Sequence, residues 1–249
     1  MEGAETGALM LCICTAGVLF YGSASPMRAL ALSGSTRAAL MGTAVALATY
    51  AIIRSPFGRR SGAHVNPALT LSFLWLGRIR RWDAASYVMC QFVGASAGVL
   101  VARQVFGAQL SETSVRYLVT VPGVHGDGIA FLAELILAGL LMGVVLFATN
   151  HRLLARFSPL FIAVLTVVYY AACPSISGFS VNPARSFASA LFASIWRGIW
   201  IYFTAPCLGM LLAAEIYVAV MGRERVYCAK VFHDLRSTCP FPCRFNRRR

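Results

Sequence analysis

Acidic residues are scarce in this sequence: 9 aspartates and glutamates stand against 22 lysines and arginines in 249 residues, and charged residues of both signs make up only 12%. A water-soluble domain of this size carries roughly twice that charge fraction. With 58% of the residues hydrophobic, a soluble globular fold is excluded. Catalytic apparatus is missing too. No nucleophile with a base, no phosphate-binding loop and no paired catalytic carboxylates occur at usable spacing, which argues against an enzyme and leaves no cofactor to expect. The eight cysteines do not read as a disulfide framework, since Cys12, Cys14, Cys90, Cys173 and Cys207 lie inside apolar runs and Cys228, Cys239 and Cys243 in the C-terminal tail. The first apolar run begins at Met1 without a basic n-region or a small-residue cleavage site, and reads as a retained span in a cell membrane, plasma or bacterial inner.

The formal charge of +13 raises nucleic-acid binding, and the placement of that charge argues against it. Sixteen of the 22 basic residues fall in Arg54 to Arg81, Arg152 to Arg156 and the tail from Arg223 to Arg249. Basic segments alternating with charge-poor ones follow the positive-inside rule of multi-spanning membrane proteins. The three basic segments and both termini are therefore expected in the cytoplasm, with the loop around Asn182 outside.

Apolar stretches long enough to cross about 30 Å of hydrocarbon occur near residues 3–22, 37–54, 84–106, 129–149, 158–174 and 198–220. Two further apolar pieces, Pro67 to Leu76 and Pro183 to Phe192, have about half the length a crossing helix needs, and are expected to enter the membrane and turn back. Each begins with asparagine then proline, an N-cap residue followed by the favoured first helical residue.

The two pieces belong to a repeat. Ser61-Gly-Ala-His-Val-Asn-Pro-Ala-Leu-Thr70 and Ser177-Gly-Phe-Ser-Val-Asn-Pro-Ala-Arg-Ser186 agree at six of ten positions, and Glu2, Gly7, Leu9 and Met10 have the spacing of Glu134, Gly139, Leu141 and Met142. A unit of three spans and one half-helix must invert on duplication, because three is odd. The expected fold is an all-α membrane protein of six transmembrane helices plus two re-entrant half-helices in an inverted 3+3 repeat. Residues 1–220 are expected to form the membrane domain, with copies at about 1–106 and 129–220, and 221–249 a basic, cysteine-containing cytoplasmic tail. Gly94 and Gly98 add a small-residue packing motif in the third span.

Half-helices entering from opposite faces bring their positive dipole ends together at the midplane. Asn66 and Asn182, followed by Pro67-Ala68 and Pro183-Ala184, cap those ends, and each capping amide keeps its NH2 group for a passing oxygen. A water molecule there meets donors only, which turns its own hydrogens outward, interrupts a proton-hopping chain, and sets a positive barrier to cations. Arg185, in the first turn of the second half-helix, is costly there unless it lines a wet cavity, so it is expected to face the pore; an interfacial arginine reaching for headgroups is the alternative. An ion-coupled transporter shares the inverted-repeat signature but needs ionisable groups at midplane that these spans almost wholly lack. A closed-pore structural protein remains a further alternative.

SGAHVNPA at 61–68 and SGFSVNPAR at 177–185 resemble the paired signature loops of the aquaporin and glycerol-facilitator family, over about residues 2–220. The resemblance implies an hourglass pore for water or a small neutral solute in each subunit of a homotetramer. It places the narrow filter at Ala46, Tyr170, Phe179 and Arg185, with Tyr169 in place of Tyr170 if the register is one residue off. Phe179 and Arg185 are glycerol-like, whereas Ala46 is small and Tyr170 bulky, so the solute is left open among water, glycerol, ammonia, urea and an uncharged metalloid acid. The same resemblance makes Glu2 and Glu134 braces for the re-entrant loops, with Glu5 competing for the first role and His64 in a loop-packing role. In the tail, Cys228, His233, Cys239 and Cys243 offer four ligands that suit tetrahedral zinc, against a reading as free thiols beside arginines. Arg247 to Arg249 are expected to contact anionic membrane lipids.

Overall fold

A computed structural model describes residues 1–233 and 239–245, apart from the side chains at 28 and 29. Arg247 to Arg249 lie outside the described residues. Among the described residues the chain is helical, with no strand. Six helices are long and apolar enough to cross a membrane: α1 (Glu2–Tyr21), α2 (Gly34–Arg54), α4 (Arg81–Phe106), α5 (Gly126–Asn150), α6 (Ser158–Ala172, extended at its start by a single turn from Ala155) and α8 (Ile199–Met221). Two shorter helices begin at the Asn-Pro pairs, α3 (Pro67–Trp75) and α7 (Pro183–Ala193). The molecule is a multi-pass integral membrane protein whose outward faces are apolar, as Leu47, Val93, Leu140 and Ile216 illustrate by standing more than half exposed.

Helix α1 packs along α4, α5 along α8, and α2 along α6. The first two pairs are equivalents in the two halves, and the third joins equivalent helices, the arrangement an inverted two-fold repeat requires. Repeat mates share environments: Met10 and Met142 are both fully buried, and Leu9 and Leu141 both line the central cavity.

Close approach of the backbones rests on missing side chains. A Cβ at Gly94 would stand 2.0 Å from the Gly3 carbonyl oxygen, and one at Gly98 2.2 Å from that of Gly7. In the other half Gly209 meets the Leu135 carbonyl at 2.1 Å. Such contacts hold membrane helices together where no water is left to drive them. Gly98→Val is expected to force α1 and α4 apart at a cost of about 1–3 kcal/mol, read as a lower thermal unfolding temperature in detergent. Gly143→Val, at a position with nothing within 4 Å, should leave that temperature unchanged; equal losses would refute the packing account.

Candidate functional site

The two re-entrant loops are built alike from residues that dislike their own backbone. Ala63 and Val65 in the first loop have φ of 53° and 49°, and Phe179 and Val181 in the second have φ of 47° and 49°. A left-handed conformation costs a β-branched residue on the order of 1–3 kcal/mol, so the loops need support from outside. One buried carboxylate supplies it in each half. Glu2 accepts from the His64 N–H at 2.9 Å and the Val65 N–H at 2.8 Å. Glu134, at 0% exposure, accepts from the Ser180 N–H at 2.9 Å, the Val181 N–H at 2.6 Å and the Ser177 hydroxyl at 2.7 Å. Glu5 takes a different partner, the Ser61 hydroxyl at 2.8 Å.

Three supports escaped the sequence reading. Gln91, fully buried in α4, donates to Glu2 at 2.8 Å and to Thr70 at 3.1 Å. Tyr87 donates its hydroxyl to the Ser61 carbonyl at 2.8 Å, and Tyr202 donates to the Ser177 carbonyl at 2.5 Å. A polar ring near the head of the third span of each half was the available signal for the tyrosines.

The half-helix N-termini meet at the centre. The Asn66 carboxamide oxygen accepts from the Ala68 N–H at 2.9 Å, and that of Asn182 from the N–H groups of Ala184 at 3.1 Å and Arg185 at 3.3 Å. Each is an N-cap ahead of Pro67 or Pro183 at the first helical position. The amide nitrogens then cross over: Asn66 donates to the Val181 carbonyl at 2.7 Å and Asn182 to the Val65 carbonyl at 2.8 Å. The sequence alone left both NH2 groups free. In the structure one N–H of each is spent on locking the opposite loop, and one remains.

A cavity of about 120 Å³ runs past this junction, lined by Asn66, Asn182, Tyr170, Phe179 and Arg185 on its polar side and by aliphatic residues of α1, α2, α3, α5 and α6 opposite. That is room for a short file of water molecules. Arg185 is 5% exposed, and its Nη1 has no hydrogen-bond partner among the described residues. The Tyr170 hydroxyl lies beside the Arg185 guanidinium, and the Tyr170 ring meets Phe179 edge-on at 4.9 Å between centroids. Tyr169 points elsewhere, donating its hydroxyl to the Leu137 carbonyl of α5 at 2.8 Å, so the one-residue shift of register is not adopted.

The structure places Ala46 beside the cavity and not in its wall. Ala46 is buried but off the cavity wall, where α2 contributes Val45, Thr49 and Ile53. These follow each other at four-residue spacing along one face, and Ala46 lies about 100° further round the helix.

The basic segments gather at one end of the molecule, where the tail folds back under the first loop. The Val231 N–H donates to the Gly62 carbonyl at 3.0 Å, and its carbonyl accepts from the Ser158 hydroxyl at 2.7 Å. His64, buried, bridges the Thr70 hydroxyl at 3.0 Å and the Ala229 carbonyl at 2.8 Å, and stacks between Phe73 and Phe241. The carbonyl requires a proton on Nε2, which makes Nδ1 the acceptor from Thr70 in the neutral ring. The ligating atoms of Cys228, His233, Cys239 and Cys243 all lie within 4.8 Å of one another.

The model of the major intrinsic protein family matches residues 5–217. Among curated proteins, the chain is 31% identical over 180 residues to Aquaporin NIP1-1 of Arabidopsis thaliana, a match covering 71% of this chain and 61% of that protein. It is 32% identical over 184 residues to Aquaporin Z of Rhodopseudomonas palustris, covering 71% and 75%, and 33% identical over 186 residues to the glycerol uptake facilitator protein-like 6 of Lactiplantibacillus plantarum, covering 74% and 83%. The chain thus spans less than two thirds of the plant relative's length. Its fold matches the X-ray structure of the aquaglyceroporin from Plasmodium falciparum with a TM-score of 0.70 at 19% identity, over 90% of this chain and 96% of that one.

Proposed function

The chain belongs to the major intrinsic protein family, and from that premise we propose that it is a passive channel for water and small uncharged solutes. The observation that carries the reading is the buried Arg185 guanidinium, with Nη1 unmatched by any described residue, in a cavity that also holds the two crossed N-cap amides. An unmatched buried donor is costly unless a solute oxygen fills the position. The loop N–H groups of His64, Val65, Ser180 and Val181 are consumed by Glu2 and Glu134. On this reading a file of solute oxygens passes loop carbonyls on the approach, and donors only at Asn66, Asn182 and Arg185. Water in the middle of the file accepts from both sides, so it cannot relay a proton through the junction. Two half-helix N-termini and a fixed guanidinium repel cations.

Tyr170 and Phe179 set the size limit beside Arg185, which favours water over a polyol. Relatives named as aquaporins and as a glycerol facilitator bracket that choice without deciding it. We place the basic end in the cytoplasm, from the arginine distribution, and take the assembly to be a homotetramer, from the family. Stopped-flow light scattering on proteoliposomes tests the size limit: fast shrinkage in sucrose with no glycerol re-swelling above empty vesicles is expected. Fast glycerol re-swelling would make the protein a facilitator instead, and no acceleration of either process would make it a closed structural protein.

A further inference from the structure

The first re-entrant loop is capped from below by the tail in a way the pore alone does not require. Residues Val226, Ala229, Lys230 and Val231 are at most 1% exposed, and Val231 forms part of the cavity wall. The Lys230 ammonium is turned inward and donates to the Arg59 carbonyl. The Tyr227 N–H donates to the Asn150 side chain at 2.8 Å, and the Tyr227 carbonyl accepts from the Arg244 N–H at 2.8 Å. That last bond closes a loop between residues 227 and 244. Its described residues lie outside helix and sheet ladders.

Within that closed loop stand three thiols and an imidazole. Cys228 Sγ lies 3.3 Å from Cys239 Sγ, and His233 Nε2 lies 3.2 Å from Cys243 Sγ. All four atoms fall inside a mutual distance of 4.8 Å. A tetrahedron with zinc–sulfur bonds of about 2.3 Å has edges of about 3.8 Å, so the distances between the four atoms need change by no more than about 1 Å to surround one ion. A disulfide bond of about 2.05 Å does not describe the Cys228–Cys239 pair. His233 is held in place by Phe245, whose ring is stacked on it at 4.3 Å and 6°.

The charge around the cluster fits a bound ion. Three thiolates and a neutral imidazole around a divalent cation carry a net charge of minus one. Arg78, with Arg244 and Arg223 as neighbours, stands close to Cys228 and Cys243, and Lys230 stands close to Cys239. Free thiols would leave this packing of soft donors, drawn from both ends of the closed loop, without a reason.

We propose that Cys228, His233, Cys239 and Cys243 form a structural zinc site that staples the tail loop and so seats residues 226–231 beneath the first re-entrant loop. Zinc suits the donor set, since soft thiolates with one imidazole in a closed four-coordinate shell select it over hard cations. The site stands on its own geometry and does not depend on what the pore carries.

The test uses the full chain, purified in detergent with a tag free of histidine and cysteine, and elemental analysis of the dialysed protein. About one zinc per chain is expected, as for a closed Cys3His site. The Cys239→Ser/Cys243→Ser double variant should elute at the wild-type position in size exclusion and carry no zinc. Cobalt replacing zinc in wild type should show the visible bands of a tetrahedral thiolate site, absent in the variant. A strong chelator should lower the thermal unfolding temperature of wild type and leave that of the variant unchanged. Wild type isolated without zinc and giving no tetrahedral cobalt spectrum would overturn the proposal, as would a double variant that keeps its ion or a disulfide found between Cys228 and Cys239.

Discussion

Tyr170→Gly should admit glycerol to a channel proposed to exclude it. The ring of Tyr170 packs edge-on against Phe179 at 4.9 Å and carries its hydroxyl to the guanidinium of Arg185. Those three side chains close the polar side of the cavity near the second loop. Gly42 lets α2 approach α6 closely at this level, since a Cβ there would stand 2.6 Å from the Tyr170 Cβ. Removing the tyrosine ring leaves Phe179 as an apolar wall and Arg185 as a donor, a surface that matches the carbon and hydroxyl faces of a polyol. Re-swelling of proteoliposomes in glycerol is expected to rise by about tenfold or more, the scale on which a steric pocket discriminates, with water permeability kept. Phe179 holds a left-handed φ and belongs to the loop itself, so Tyr170 is the better place to change size without disturbing the backbone. A glycine variant that passes water yet still rejects glycerol would show that the limit lies elsewhere along the cavity.

Glu134→Ala is expected to cost the protein its fold rather than its selectivity. The carboxylate is the single acceptor for the Ser180 and Val181 N–H groups and also takes the Ser177 hydroxyl. No water or lipid reaches a residue at 0% exposure to replace it. Each stranded donor costs about 1–3 kcal/mol, and the loop it holds contains two left-handed residues that are already strained. Against a total stability on the order of 5–15 kcal/mol, the sum is most of what the protein has. Glu134→Gln offers only a partial rescue, because its oxygen can keep the Ser180 N–H and the Ser177 hydroxyl while its NH2 group faces the Val181 N–H donor against donor. The measurement is the yield of monodisperse protein in detergent and its unfolding temperature, expected to fall by on the order of ten degrees or more. Glu224→Ala, at an exposed position, should change neither. A Glu134→Ala protein of normal yield and unfolding temperature would mean that the loop holds itself.

Much of this architecture is written in short, local signals. Span lengths follow from apolar runs, and the start of each half-helix follows from an asparagine and a proline, so α3 and α7 begin where those residues say they must. Spacing within the repeat also selects Glu2 over Glu5 for the backbone of the first loop, because Glu134 has no such competitor. What escapes is whatever depends on the angle of a helix about its own axis or on contacts across the inversion. The region of α2 around Ala46 is rich in small residues, so no large side chain marks which face meets the cavity, and the wall runs through Val45, Thr49 and Ile53 instead. The crossing of Asn66 to Val181 and Asn182 to Val65 joins residues more than a hundred positions apart, and neither motif alone implies that half of each donor group is already spent. The tail is the third case. Its thiols and imidazole are visible as residue types, but their convergence depends on the fold-back that Ser158, Gly62 and His64 anchor.

The central claim is that donors gathered at Asn66, Asn182 and Arg185 let a file of water through and stop a proton. One preparation of proteoliposomes, loaded with a pH-sensitive dye, measures both on the same vesicles: osmotic shrinkage by light scattering and decay of an imposed pH gradient by fluorescence. Shrinkage well above that of empty vesicles, with the pH gradient decaying no faster than in empty vesicles, is the predicted result. Proton leakage rising in step with water flow, or shrinkage no faster than that of bare lipid, would contradict it.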